Sequence, residues 1–215
     1  MDTLSNGAGK ARTSVLVDFG GVITSSVLQA FTDFGASLGG DPRLPLELLS
    51  RDQPSRALLA DHECGRIDTE AFERGFAERL RVHGAVVEAE GLTARMQAGM
   101  SIDQDMLALL GDLRVAGHPV ALVSNSFGTG TYDGVDLAAL ADVVVISAVV
   151  GIRKPSRRIY SIACERLCVA PEEAVMIDDL QQNLDGAARI GIGGAGVQYA
   201  ADTRRQLAER FGISA

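Results

Sequence analysis

The sequence predicts an α/β fold: a doubly wound, Rossmann-like parallel sheet with a small all-helical cap domain. Three observations predict it. Short apolar, β-branched runs recur along the chain, helical stripes separate the later runs, and one long stretch after the first run carries no strand signal at all. The chain has 215 residues, 47% apolar and 22% charged, which suits one globular domain or a domain with an insertion.

Taken in order, Ser14-Val15-Leu16-Val17 is the first run, and its apolar continuity marks a strand buried on both faces. From 25 to 101 the pattern is helical, as in the stripe Phe72, Phe76 and Leu80 after the capping candidate Asp68. Loops beyond about 12 to 15 residues are uncommon in compact domains, so this excursion reads as a helical cap inserted after strand one. Met106, Leu107, Leu109, Leu110 and Leu113 form the next stripe, closed by Gly117. The strands Pro119 to Val123 and Val143 to Ile146 follow, then a helix carrying Ile159, Ile162, Ala163 and Leu167. Ala174 to Ile177 is the fourth strand, 180–190 a helix, Ala195 to Gln198 the fifth strand and 202–211 the last helix. The predicted organisation is therefore a flexible leader over 1–12, a core of 13–24 and 102–215, and a cap over 25–101.

Composition excludes several classes. No apolar run reaches the roughly 18 residues a membrane span needs, since the longest, 143–152, is broken by Ser147. A net charge of −8 without a basic stripe interleaved with aromatics argues against nucleic acid. The polar leader lacks the apolar stretch of a secretion signal, so the expected location is cytoplasmic. Heavy use of Arg, Ala and Gly points to a GC-rich bacterial genome. Cys64, Cys164 and Cys168 are expected to be reduced and mostly buried; Cys164 and Cys168 stand one helical turn apart, but nothing beside them completes a zinc site. Of the 20 basic residues only Lys10 and Lys154 are lysines.

In open α/β sheets ligands sit beyond the carboxyl ends of the strands. Those ends are polar here. Strand one runs into Asp18-Phe19-Gly20-Gly21, strand two into Ser124-Asn125-Ser126 and strand four into Asp178-Asp179, while Lys154-Pro155 follows strand three. Singly, each has a bland reading: Asp18 starting a glycine turn, Ser124 bonded locally, Asp178 or Asp179 capping a helix. Together they match phosphoryl chemistry. A carboxylate such as Asp18 can attack phosphorus and split a hard hydrolysis into two easier steps. Magnesium held by Asp18 and Asp179 would relieve repulsion between the anions, Lys154 adds positive charge, and Ser124 with backbone N–H groups near Gly20, Gly21 and Asn125 can hold phosphoryl oxygens.

The phrases Leu122-Val123-Ser124-Asn125-Ser126, Val150-Gly151-Ile152-Arg153-Lys154-Pro155 and Ile177-Asp178-Asp179-Leu180-Gln181-Gln182-Asn183 are similar to those of the haloacid dehalogenase-like hydrolase superfamily. The chain resembles that family from Val15 to Phe211, in the subgroup whose helical cap lies between motifs one and two. The resemblance implies Asp18 as nucleophile, Ser124 as phosphate ligand, Lys154 as charge bridge, and a magnesium ion at Asp18, the Gly20 carbonyl, Asp179 and, further out, Asp178. It implies a phosphatase acting on a small phosphorylated metabolite through an aspartyl-phosphate, as a monomer or homodimer.

One position departs from the pattern. Phosphatases of this family usually carry a second aspartate, the general acid, two residues after the nucleophile, where this chain has Gly20. A positioned acid is worth about 10² to 10⁴-fold. A catalytically weak or inactive phospho-ligand-binding protein of the same fold is the alternative. A 2-haloacid dehalogenase is a further one, against which the Asp178-Asp179 pair argues. The lysine-dependent phosphonate route is excluded for the cap, since no lysine lies between Lys10 and Lys154. In the cap, Arg66 within His62-Glu63-Cys64-Gly65-Arg66-Ile67-Asp68 is the candidate for contact with an anionic substrate, against a solvated arginine beside a helix start. His62, His83 and His118 receive no catalytic role. Arg153, Arg157 and Arg158 are read as a solvated face.

Overall fold

The computed structural model describes residues 11–197 and 199–214. Most of the expected leader and Gln198 of the expected fifth strand lie outside the described residues. In chain order the elements are β1 (Ser14–Val17), α1 (Val27–Ser37), α2 (Leu44–Arg51), α3 (Gln53–Glu63), α4 (Thr69–Val82), α5 (Leu92–Gln97), α6 (Gln104–Val115), β2 (Val120–Ser124), α7 (Leu137–Leu140), β3 (Val143–Ile146), α8 (Ser147–Val150), α9 (Arg157–Leu167), β4 (Ala174–Asp178), α10 (Gln181–Ala188), β5 (Gly193–Gly196) and α11 (Ala200–Phe211).

The sheet is wholly parallel in the order β3-β2-β1-β4-β5. Burial on both faces explains the unbroken apolar runs. Val15 and Val17 face one apolar cluster with Leu109, Leu110, Leu113 and Leu207, while Leu16 faces a second with Val123, Ile159, Tyr160 and Met176. Val17 lies level with Leu122 and Ile177. That register brings Asp18, Ser124 and Asp178 to one edge of the sheet.

Between β1 and α6 the helices α1 to α5 build a third cluster of their own around Phe31, Phe34, Phe72, Phe76, Leu80, Leu92 and Met96. Asp68 caps α4 by accepting from Ala71 N at 2.7 Å, as its spacing predicts. The chain leaves and re-enters the sheet layer through two antiparallel segments bridged at Thr24 and Ile102. Ser25 N donates to Ser101 O and Asp103 N to Ile23 O, both at 2.8 Å.

Three details differ from the sequence reading. β5 begins two residues earlier than expected, because Gly193 carries no strand signal; a Cβ there would stand 2.7 Å from Phe211 Cε1, so glycine is what lets α11 close on this edge. The apolar run 143–152 is not one strand: β3 stops at Ile146, and 147–150 turn into the short helix α8. Cys64 and Cys164 are buried, but Cys168 is exposed at the end of α9.

Cys168 adopts φ 58° and ψ 38°, the left-handed conformation that closes a helix and suits glycine. It is the one non-glycine residue with positive φ among the described residues. Cys168→Gly is expected to raise stability by about 0.5 to 1 kcal/mol, because relief of the Cβ strain outweighs the added freedom of the unfolded chain. Urea unfolding checks it, and a lowered midpoint would contradict it.

Candidate active site

β1, β2 and β4 end in polar residues because the sheet ends there, and the helices cover its faces but not its carboxyl edge. Lys154, on the segment between α8 and α9, extends beneath that edge and is 1% exposed. Its Nζ lies 2.6 Å from Asp18 Oδ1 and 2.9 Å from Asp178 Oδ2. Burial alone would lower the lysine's pKa, but the two carboxylates more than reverse this and hold it above its ordinary value. Asp18 also accepts from Phe19 N at 2.7 Å. Burial pushes its carboxyl up to about 7, with Lys154 pulling against the rise and Asp178 adding to it.

Asp178 is fully committed. Its Oδ1 accepts from Leu180 N and Asn183 Nδ2, both at 2.9 Å, and its Oδ2 from Lys154 and, at 3.1 Å, Asn183. Asn183 is fixed in turn by Tyr160, whose hydroxyl donates to its carbonyl at 2.8 Å. Asp179 differs. It is partly exposed and has no side-chain hydrogen-bond donor among the described residues; burial, reinforced by Asp178, pushes it up to about 6. Ligand atoms of Asp18, Asp178 and Asp179 all lie within 4.8 Å of one another. Gly21 makes this approach possible: at φ 75° a Cβ would stand 2.2 Å from Asp179 Oδ2.

Ser124 is 2% exposed, and its Oγ accepts from the Tyr132 hydroxyl at 3.0 Å. The Asn125 amide is used on the lysine segment. Its Oδ1 accepts from Lys154 N at 2.8 Å and its Nδ2 donates to Lys154 O at 3.3 Å, so this side chain positions Lys154 and keeps one Nδ2 proton unused by that pairing. Asp18, Gly20, Ser124, Asn125, Lys154 and Asp179 line one cavity of about 990 Å³. Asp178 lies behind its wall.

Two expected residues behave otherwise. The Gly21 N–H is already taken by Thr24 Oγ1 at 3.0 Å. Arg66 does not line the cavity: it pairs with Asp61 at 2.7 Å and is 55% exposed, so its charge is satisfied locally at the surface. Arg153 was read as solvated, yet its Nε stands 2.6 Å from Glu63 Oε2 at the cavity wall. Arg157 and Arg158 are exposed, as expected. Sequence reasoning also missed Tyr132 and Glu63. Only the glycine turn after Glu63 hinted that the α3 end approaches the core: a Cβ on Gly65 would meet Ala148 O at 2.6 Å. His62 is buried there, stacked on Phe72 with centroids 4.7 Å apart, and its Nε2 accepts from Gly128 N at 2.9 Å.

Gly20 also has a packing reason. A Cβ there would stand 2.9 Å from Val27 Cγ2, so a methyl of α1 fills the space an acidic side chain would enter.

The sequence profile of the haloacid dehalogenase-like hydrolases matches residues 13–191. Mouse (Mus musculus) acyl-CoA dehydrogenase family member 10 is 36% identical over 90 residues, 40% of this chain and 8% of that protein. A chloroplast flavin mononucleotide hydrolase of Arabidopsis thaliana is 28% identical over 151 residues, 69% of this chain and 60% of that protein. The chain thus spans less than two thirds of either relative. Among solved structures, the HAD family enzyme BT-2542 of Bacteroides thetaiotaomicron, in complex with magnesium and inorganic phosphate, superposes with a TM-score of 0.63 at 21% identity, over 87% of this chain and 95% of that one. A dehalogenase superposes with 0.65 at 22% identity, over 88% and 86%.

Proposed function

Since the chain belongs to the haloacid dehalogenase-like hydrolase family, we propose that this hydrolase is a magnesium-dependent phosphatase working through an aspartyl-phosphate on Asp18. The observation that carries the reading is the buried Lys154 bridging Asp18 and Asp178, with the uncommitted Asp179 carboxylate in the same cluster. Lys154 would orient Asp18 for carbon–halogen hydrolysis as well, so it is the Asp179 carboxylate beside Asp18, a metal ligand that such hydrolysis does not need, that favours the phosphatase.

The donor set fits magnesium. Mg²⁺ takes one or two carboxylates with waters and substrate oxygens, and three carboxylates crowd here beside Lys154, the one cation that pairs with them among the described residues. Asp18, Asp179 and the Gly20 carbonyl would hold it, with Asp178 behind. When bound, it supplies positive charge that lets two anions meet. Lys154 fixes the Asp18 carboxylate and leaves Oδ2 to attack phosphorus. Ser124, oriented by Tyr132, donates its hydroxyl proton to a phosphoryl oxygen as charge develops. The helices α1 to α5, which we take as the cap, exclude water from this step.

The alcohol portion of the substrate follows from the rest of the cavity. Its cap side presents Phe31, Leu46, Leu49, Leu59 and Met100, and the loop after β2 adds Phe127. About 990 Å³ with that lining suits a phosphomonoester of nucleotide or flavin size, larger than a triose phosphate. The action of the plant relative on flavin mononucleotide agrees with this. One observation favours the alternative of a weakly active phospho-ligand binder, namely Val27 standing where the usual acid would reach. Among the described residues no helix is long and apolar enough to cross a membrane. We take the protein to act in the cytoplasm as a monomer or homodimer.

A panel of phosphomonoesters and 2-haloacids, with and without magnesium, tests the reading. Magnesium-dependent phosphate release, best with bulky aromatic alcohols, is expected. Halide release without metal, or no turnover on any phosphate ester, would contradict it.

A further inference from the structure

Taking the phosphatase reading as its basis, we infer that Glu63, at the end of α3, is the general acid and base that this chain lacks at Gly20. Glu63 lines the same cavity as Asp18, Gly20, Ser124 and Asp179, but approaches from the helical side, opposite the strand ends. It is 8% exposed, and the Arg153 guanidinium beside it offsets the cost of burying its charge.

Its hydrogen bonding leaves a proton site open. Arg153 Nε lies 2.6 Å from Glu63 Oε2, yet the single Nε proton is directed at the Lys154 carbonyl, 3.2 Å away. Glu63 Oε2 therefore accepts no hydrogen bond among the described residues. Arg153 thus supplies charge but no aligned donor, and Oε2 keeps a lone pair free to take a proton. The main chain, by contrast, is anchored: the Glu63 carbonyl accepts from Ser147 Oγ, which also accepts from Ser126 N at 2.8 Å. The α3 end is thus tied to the loop just after Ser124 and to α8. The charged and titratable groups acting on the carboxyl are Arg153 and Lys154 from the segment after α8 and Asp18 from the end of β1; Tyr132 from the loop after β2 lies within reach of its charge. Burial pushes the carboxyl up to about 7, more than Arg153 and Lys154 lower it, and Asp18 adds to the rise. A group poised there can give and take a proton near neutrality.

The chemistry balances. As the Asp18 oxygen bonds to phosphorus and the bond from phosphorus to the leaving oxygen breaks, Glu63 gives its proton to that oxygen and the alcohol departs. Glu63, now a carboxylate, takes a proton from the water that attacks phosphorus. The bond from phosphorus to the Asp18 oxygen breaks, inorganic phosphate leaves, and Glu63 is protonated again.

Leaving-group dependence tests this. In Glu63→Gln, kcat/KM on an alkyl phosphate, which reports the step that expels the alcohol, is expected to fall about 10² to 10⁴-fold, while kcat/KM on p-nitrophenyl phosphate, whose leaving group needs no proton, falls less than about tenfold. The decline of alkyl phosphate turnover above about pH 7 is expected to vanish in the variant. Glu63→Asp should recover part of the loss. So should Gly20→Asp combined with Val27→Ala in the Glu63→Gln background, because it places an acid where Val27 no longer blocks one. Equal losses of kcat/KM on both substrates, or no loss on either, would overturn the assignment while leaving the phosphatase reading intact. No turnover by the unsubstituted protein on either substrate would overturn both.

Discussion

Asp18→Asn is expected to lower phosphate release at least about 10⁴-fold while the protein stays folded. The amide keeps the shape of the carboxylate and an oxygen for Lys154 and Phe19 N, so the contacts at 2.6 and 2.7 Å survive in neutral form. Lys154 also keeps Asp178 at 2.9 Å, and the stability cost should stay within about 1 to 2 kcal/mol. An amide oxygen is too poor a nucleophile to form the phosphoenzyme. Steady-state kinetics beside urea unfolding check both halves, and residual activity above about a hundredth of the parent would contradict the nucleophile assignment.

Lys154→Met should be the most damaging single change to the fold as well as to catalysis. Methionine fills the channel left by the lysine stem but leaves Asp18 and Asp178 facing each other without their shared cation, in a place where Asp18 is 7% and Asp178 0% exposed. Removing one partner of a buried ion pair typically costs about 3 to 5 kcal/mol. Activity should be lost with it. Chemical denaturation reads the stability term, and a loss below about 1 kcal/mol would mean that the bridge contributes little to folding. Arginine should not rescue the variant, since its planar fork matches neither the channel nor the single-point contact that Nζ makes with each aspartate.

The parts of this molecule written in local sequence were legible. β1, β2 and β4 are buried on both faces, so their runs are apolar without alternation, and the register that aligns Asp18, Ser124 and Asp178 follows from parallel pairing of those runs. Asp18, Ser124 and Asp178 stood out because each meets an apolar run at its carboxyl end, and Lys154 because lysine is so rare in this chain. β5 was less legible: glycines carry no side-chain signal, and Gly193 is there for the sake of Phe211, which follows it in the chain but packs on it in space. The residues missed share one property, in that their role depends on how an irregular loop or a helix end packs rather than on any local periodicity. Tyr132 matters because its loop folds back to Ser124, and Glu63 because α3 docks on 147–148. Nothing in the spacing of His62-Glu63-Cys64-Gly65-Arg66 says which of its polar side chains turns inward. The longer, more basic Arg66 looked the better anion contact, but Asp61 five residues earlier captures it at the surface.

Covalent trapping tests the central reading most directly. The protein is mixed with magnesium and a phosphomonoester bearing labelled phosphorus, quenched in acid within one turnover, and the protein-bound label is mapped by peptide. The account predicts label on the peptide containing Asp18, absent from Asp18→Asn and absent without magnesium. Phosphate release at full rate with no label on the protein, or with label unchanged in Asp18→Asn, would contradict it.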